Sequence, residues 1–270
     1  MRTGGVRRVS FDWSFLWTHM FDLSPHYGVG LQRTLFMAVI SMIFGVMLGM
    51  LVALARLSKI RVISGLAALY VWLLRGVPEL VILILLYTGL AAAGIFRFND
   101  ITVFGMVLPA AMQAAIFGFS IREGAYMGEI FRGGIMAVDR GQVEAAKALG
   151  MKRIATLRRI ILPQAMRVVV PPMGNQFTIM LKATSLASVL GVPELLLTTQ
   201  TFAAETFRVF ELFIGLAVNY LILTTVWTFI QSLIEARLAR HEADTTTEGP
   251  LARARRHLFG AATPAGRRAA

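Results

Sequence analysis

The sequence predicts an all-α polytopic membrane protein of five transmembrane helices with one long cytoplasmic loop, and three observations predict it. Of 270 residues, 56% are hydrophobic and only 16% charged, and the mean hydropathy of +0.66 lies outside ordinary soluble usage. Uncharged apolar runs occupy 35–55, 101–121 and 212–234, each long enough to cross a bilayer core of about 30 Å as a helix. Eighteen of the 27 Lys and Arg fall in three segments between such runs: at Arg56, Lys59 and Arg61, from Arg132 to Arg167, and after Leu233. That alternation is the positive-inside pattern of cytoplasmic loops.

Two further apolar runs are interrupted. The run at 168–192 is broken by Lys182, and that at 62–96 by Arg75, Pro78 and Glu79. The second could cross once or twice. Counting back from an Arg-rich cytoplasmic tail, a single broken crossing keeps Arg56, Lys59 and Arg61 inside, and five spans result, with the N-terminus outside and the C-terminus inside. Arg2, Arg7 and Arg8 then lie outside, against the rule. Those three are followed by a mixed stretch, unlike the apolar core of a signal peptide. Phe11, Trp13, Phe15, Trp17 and Phe21 alternate with polar residues, which suits a helix lying among lipid headgroups. The chain divides into an N-terminal tail and aromatic segment (1–30), a transmembrane domain (31–240) and a basic cytoplasmic tail (241–270) whose composition predicts disorder.

The composition excludes several chemistries. No cysteine is present, so disulfides and thiolate sites are out. The formal charge of +12 tracks topology and anionic headgroups, so no nucleic-acid partner is expected. There is no G-x4-G-K-[ST] phosphate loop and no H-E-x-x-H, and His19, His26, His241 and His257 are scattered, so neither catalysis nor a metal site is expected.

The most informative loop segment is 138–150. Asp139 and Gln142 have capping-box spacing, Val143, Ala146 and Leu149 with Ala145 form a small apolar strip, and Gly150 is a good stop signal. The spacing predicts a short capped helix with too little apolar surface to stand alone, either an ordinary connector or a docking element. The segment and its continuation fit the pattern E-A-A-x3-G-x9-I-x-L-P through Glu144, Ala145, Ala146, Gly150, Ile160, Leu162 and Pro163. This is the cytoplasmic signature of ABC importer permeases, which the chain resembles.

The resemblance implies that Asp139, Gln142, Glu144, Ala145, Ala146, Gly150 and Pro163 belong to a coupling loop docking on a separate ATP-binding subunit. ATP and Mg would be bound there, and no cofactor in this chain. Across about 11–240 the chain resembles the polar amino acid permease branch, through Arg75-Gly76-Val77-Pro78, Ala125-Tyr126, Glu129, Arg132, Gly174-Asn175-Gln176 and Thr184-Ser185-Leu186. Asp139 stands where that branch usually has Pro, and Ala183 where it often has an acid. The resemblance further implies a second permease copy or paralogue, an extracytoplasmic solute-binding protein, and a place in the bacterial inner membrane among its lipids. Within the same mechanism an opine or a sulfur-containing solute is an alternative to an amino acid. A secondary transporter or membrane scaffold without an ATPase is the alternative outside it.

Polar groups inside spans are costly and mark pathways or partners. Asn175, Thr178, Lys182 and Ser185 share one helical face, suited to a zwitterionic solute, to packing between subunits, or to Lys182 reaching an interface. Gln176 adjoins them, and a neutral amide there argues against a cationic solute. Arg75 and Glu79 are four apart around Pro78, which is compatible with an ion pair at an unwound point in the pathway or at a membrane boundary. Arg122, Glu123, Glu129 and Arg132 read as a solvated ion-pair face at the cytoplasmic end of the third span.

Overall fold

The computed structural model describes residues 11–20, 25–103 and 105–239. The expectations for the basic tail, for Arg2, Arg7 and Arg8, and for Phe21 fall outside these residues. In chain order the helices are α1 (Trp13–Met20), α2 (Pro25–Arg56), α3 (Arg61–Gly76) and α4 (Glu79–Ala92). A two-stranded antiparallel hairpin follows, β1 (Ile101–Val103) and β2 (Met106–Leu108), with Ile101 opposite Leu108. Then come α5 (Ala110–Met136), α6 (Arg140–Ala148), α7 (Arg153–Leu190), α8 (Leu195–Thr206) and α9 (Val209–Ala239).

The all-α membrane fold is as the sequence predicts, with corrections to where spans begin. Residues 101–103 and 106–108 form the hairpin, and the third span is α5, displaced toward the C-terminus. Pro109 supplies the extended residue before the helix, and Asp100 Oδ1 caps it by accepting from Ala110 N–H at 2.8 Å. By its 27 residues α5 is about 40 Å long. It carries Arg122, Glu123, Glu129 and Arg132 within the helix because neighbouring helices supply their partners. Among the described residues, α2 and α9 alone are long and apolar enough to span unaided; α3 with α4, bent by 106°, and α7 with α8, bent by 53°, form broken pairs.

The tightest packing joins α2 to α5. Gly45 and Gly49 on α2 face Gly124 and Gly128 on α5, each pair four residues apart, as in close-packed membrane helices. A Cβ at Gly45 would lie 2.7 Å from Glu123 Cβ, and one at Gly49 would lie 2.3 Å from Met127 Cβ. A Cβ at Gly124 would meet Leu48 Cδ2 at 2.8 Å, and one at Gly128 Val52 Cγ1 at 2.6 Å. Contact partners therefore advance together along both chains, so α2 and α5 are parallel. The Arg56 end of α2 lies beside Glu129, whose Oε1 is 3.2 Å from Arg56 Nε. Parallel neighbours require the chain to return once between them, and α3 with α4 is that single, broken return.

Side-chain bonds fasten the remaining elements. Trp227 Nε1 on α9 donates to Gly174 O on α7 at 2.8 Å. The buried Glu194 caps α8 by accepting from Leu196 and Leu197 N–H, both at 2.9 Å, and also receives the Tyr220 hydroxyl at 3.3 Å. Helix α1 turns Trp13 and Trp17 outward while burying Leu16, the arrangement expected of an interfacial helix. Its own cap, Asp12, accepts from Phe15 N–H and the Ser14 hydroxyl, which hold the Asp12 carboxyl below the usual range, and Arg208 lies 3.4 Å away.

The glycine contact makes a sharp prediction. Gly49→Ala, whose methyl meets Met127, should lower stability by about 1–3 kcal/mol, the usual cost of overpacking. Gly65→Ala, on a helix position with nothing within 4 Å, should leave stability unchanged or raise it. Thermal unfolding of the purified variants in one detergent checks the pair.

Candidate functional site

Three places collect the polar residues. The first is α6 with the start of α7. Asp139 is the N-cap of α6, its Oδ1 accepting from Gly141 N–H at 2.6 Å, while Gln142 N–H reaches the Asp139 carbonyl at 3.2 Å. The cap thus forms one position earlier than the capping box predicts, through Gly141. At the other end Gly150 sits at φ +72°, and two bonds close the helix: Gly150 N–H to Lys147 O at 2.9 Å and Met151 N–H to Ala146 O at 3.0 Å. This is a left-handed stop that a residue with a Cβ adopts only under strain.

The apolar strip of α6 divides. Ala146 is buried, Val143 is half-buried, and Leu149 is 82% exposed, joined by Ile154 at 79%. Glu144 and Ala145 are exposed beside them. A cleft of about 610 Å³ opens between the segment leading into α6 and the first turns of α7, lined by Gln142, Arg159, Ile160, Pro163 and Gln164 among others. Pro163 lies at the start of the regular part of α7, just after a wide turn at Leu157–Ile161. Of the seven loop residues singled out from the sequence, then, Asp139, Ala146 and Gly150 shape the helix, Gln142 and Pro163 line the cleft, and Glu144 and Ala145 face outward.

The second place is the α7 stripe. Asn175 and Lys182 are exposed on the outside of the chain, with Thr178 and Ser185 half-buried on the same side. The Ser185 hydroxyl donates to Lys182 O at 2.7 Å and that of Thr178 to Gly174 O at 3.4 Å. Two of the stripe's four groups are satisfied by their own helix, and two face outward. Gln176 turns the other way and is buried.

The third place, whose residues the sequence assigns to separate features, lies around the middle of α5. Glu123 is 1% exposed, and Arg122 is largely buried with its Nη1 3.3 Å from Glu79 Oε1. Gln176, buried on α7, is the polar side chain nearest the Glu123 carboxyl from that helix. The Arg122 guanidinium carbon stands 4.7 Å from the Tyr126 ring centroid and that of Arg75 5.0 Å.

These contacts correct two expectations. Arg75 and Glu79 do not pair, because the 106° bend at Val77 and Pro78 destroys the continuous helical turn on which an i, i+4 contact depends. Arg122 and Glu123 are not a solvated face, since α5 continues well beyond them. Only Glu129 and Arg132 behave as expected of that group, paired at 2.7 Å and joined by Arg56. The α2 glycines were the available sequence signal, because a helix approaching that closely leaves no room for water around Glu123.

Residues 45–240 match the family described as "binding-protein-dependent transport system inner membrane component". The chain is 38% identical to the probable amino-acid permease protein YxeN of Bacillus subtilis, over 86% of this chain and 97% of that one. It is 35% identical to the glutamine transport system permease protein GlnP of Escherichia coli K12, over 85% and 99%. Among solved structures, one of an amino acid ABC transporter superposes with a TM-score of 0.72 at 35% identity, covering 84% of this chain and 99% of the other. The chain belongs to the family of binding-protein-dependent transport system inner membrane components.

Proposed function

We propose that this chain is the permease subunit of an ATP-driven importer of polar or neutral amino acids, moved by a separate ATP-binding subunit that docks on α6. The observation that carries the proposal is α6 itself: a helix capped at both ends that leaves Leu149 and Ile154 bare beyond the membrane-spanning helices. A rigid helix with an uncovered apolar side is suited to a protein groove, and it follows α5 after a three-residue link, so force applied to it reaches the bundle. ATP and Mg belong to the partner. The solute arrives from an extracytoplasmic binding protein, the α6 side is cytoplasmic and the N-terminus is outside. The neutral Gln176 and the likeness to a glutamine permease favour an uncharged side chain on the solute.

A second permease chain completes the pathway. Asn175 and Lys182 on the outside of a spanning helix are expensive against lipid, about 2.5–3.5 kcal/mol for the lysine on insertion scales, so a partner helix is expected over them. A homodimer or close heterodimer satisfies this by two-fold symmetry.

Vesicles containing this chain, its ATPase and its binding protein should take up amino acid with solute-stimulated ATP hydrolysis, and vesicles containing the chain alone should take up none. Leu149→Glu should lower the stimulated hydrolysis about tenfold or more, as expected for loss of an apolar anchor, while the melting temperature of the isolated chain stays unchanged. Uptake by the lone chain contradicts the proposal. Because the sequence has no cysteine, Asn175→Cys introduces a single thiol. Mild oxidation should cross-link it to a second chain carrying the same substitution at the matching place, whereas Leu66→Cys, on an exposed α3 position, should remain uncrosslinked.

A further inference from the structure

A hollow of about 700 Å³ lies between α2, α7 and α9, apart from the loop and from the middle of α5. Met42, Val170 and Gly174 form its buried floor, and Ile43, Met47 and Ile234 stand exposed along its rim. The polar groups beside it are turned to the protein. Trp227 Nε1 donates to Gly174 O at 2.8 Å, and Gln231 Nε2 donates to Pro171 O at 3.1 Å and to Glu235 Oε1 at 2.8 Å. The remaining walls are aliphatic, aromatic and thioether groups, a poor place for a zwitterion or for water, which needs two to four polar partners.

Left empty, these walls would forfeit their dispersion contacts on one side. A second helix does not suit them, because close approach of helices in a membrane needs small residues at the contact. Gly174 is the small residue of this lining, and the Gln231 side chain covers it so tightly that a Cβ there would lie 2.3 Å from Gln231 Cδ. Met42, Met47, Met166 and Met173 line the hollow with long, unbranched side chains that adapt to a flexible occupant. Position also favours lipid. Helix α7 lines the hollow with Met166, Val170, Met173 and Phe177, which share one helical face, and Asn175 and Lys182 lie on the opposite one. A partner chain over those two therefore leaves the hollow open. Its length fits a single leaflet: from Met166 to Phe177 along α7, and from Trp227 to Leu238 along α9, it runs about 16 Å, roughly half of a bilayer core of about 30 Å. Met166 and Leu238 mark its end toward α6, and Phe177 and Trp227, with ring centroids 4.3 Å apart, close the other.

We propose that this hollow holds one acyl chain of a phospholipid from the leaflet on the α6 side, with its methyl end against Phe177 and Trp227 and its ester end at Met166 and Leu238. The lipid is held by its hydrocarbon, and its headgroup is not selected. Wedged between α2 and α9, the chain braces α7 from the side opposite Asn175 and Lys182. The site itself requires only that the protein spans a membrane. Calling that leaflet cytoplasmic, and giving the opposite face of α7 to a second permease chain, rests on the reading above.

The direct test places the wild-type permease–ATPase complex in nanodiscs containing phospholipids whose palmitoyl chain carries a photoactivated diazirine, either near the ester or near the methyl end. Labelled residues are read by peptide mass spectrometry. Label should favour peptides bearing Met42, Val170 and Ile234 over the exposed α3 surface at Leu66 and Leu69 at least severalfold, equally for phosphatidylcholine and phosphatidylglycerol. The probe near the methyl end should mark Phe177 and Trp227, and the probe near the ester Met166 and Leu238. Equal labelling of the hollow and of α3 is ordinary bilayer contact and overturns the site, as does labelling set by the headgroup. The reverse order of the two probes overturns the leaflet. Ile43→Trp combined with Ile234→Trp fills the hollow from its exposed rim and should cut its label at least severalfold, whereas Leu66→Trp should leave it unchanged. Undiminished label in the filled variant overturns the proposal, and the wild-type comparison decides even where that variant fails to fold. Disulfide cross-linking between two chains carrying Ile43→Cys gives the hollow to a second copy and overturns the lipid. Loss of the amino-acid reading, shown by absence of uptake, leaves the labelling pattern as it is.

Discussion

The approach of α2 to α5 governs the rest of the molecule. In a bilayer, helices gain nothing from burying apolar side chains that lipid already solvates, so association depends on close packing and on the polar groups it encloses. Here two glycine pairs let the backbones meet with Leu48, Val52, Glu123 and Met127 fitted into the space that Cβ atoms would fill. The contact makes the helices parallel, which forces the broken return of α3 and α4 between them. It also brings Arg56 to Glu129 at one end and shuts Glu123 away from lipid in the middle. The same helix that bears the buried Glu123 leads into α6 after a three-residue link.

That arrangement explains how charges are tolerated inside the bundle. Glu129 is satisfied from two sides, by Arg132 on its own helix and Arg56 on α2, near the end of the rod where long side chains also reach water. Farther in, Arg122 pairs with Glu79, while Glu123 Oε1 accepts no hydrogen bond. Incomplete pairing in hydrocarbon is retained only where something else gains from it.

Much of this was legible in the sequence, and the failures have definite causes. Hydropathy and charge placement marked the spans and the long basic loop between them because both signals are local and repeat along the chain. Asp139 and Gly150 were readable as helix boundaries because capping chemistry and left-handed turns depend on a few adjacent residues. The boundary of α5 was misplaced because charged residues at 122, 123, 129 and 132 look like the end of a span, and only the tertiary partners Glu79, Gln176 and Arg56 allow the helix to continue. Arg75 and Glu79 were paired by spacing, which holds only where the helix is continuous. Asn175 and Gln176 are neighbours in sequence yet face opposite sides, so the stripe separated from the buried amide once the helix was placed.

The central claim is that nucleotide-driven motion of a separate subunit enters through α6 and reaches the bundle along α5. Hydrogen exchange of the full transporter, followed by peptide across residues 137–156, tests it most directly. Binding of the ATPase subunit should slow exchange across α6, and addition of ATP with Mg should change it again together with peptides from the middle of α5. Active uptake with α6 exchanging as it does in the isolated chain would contradict the account.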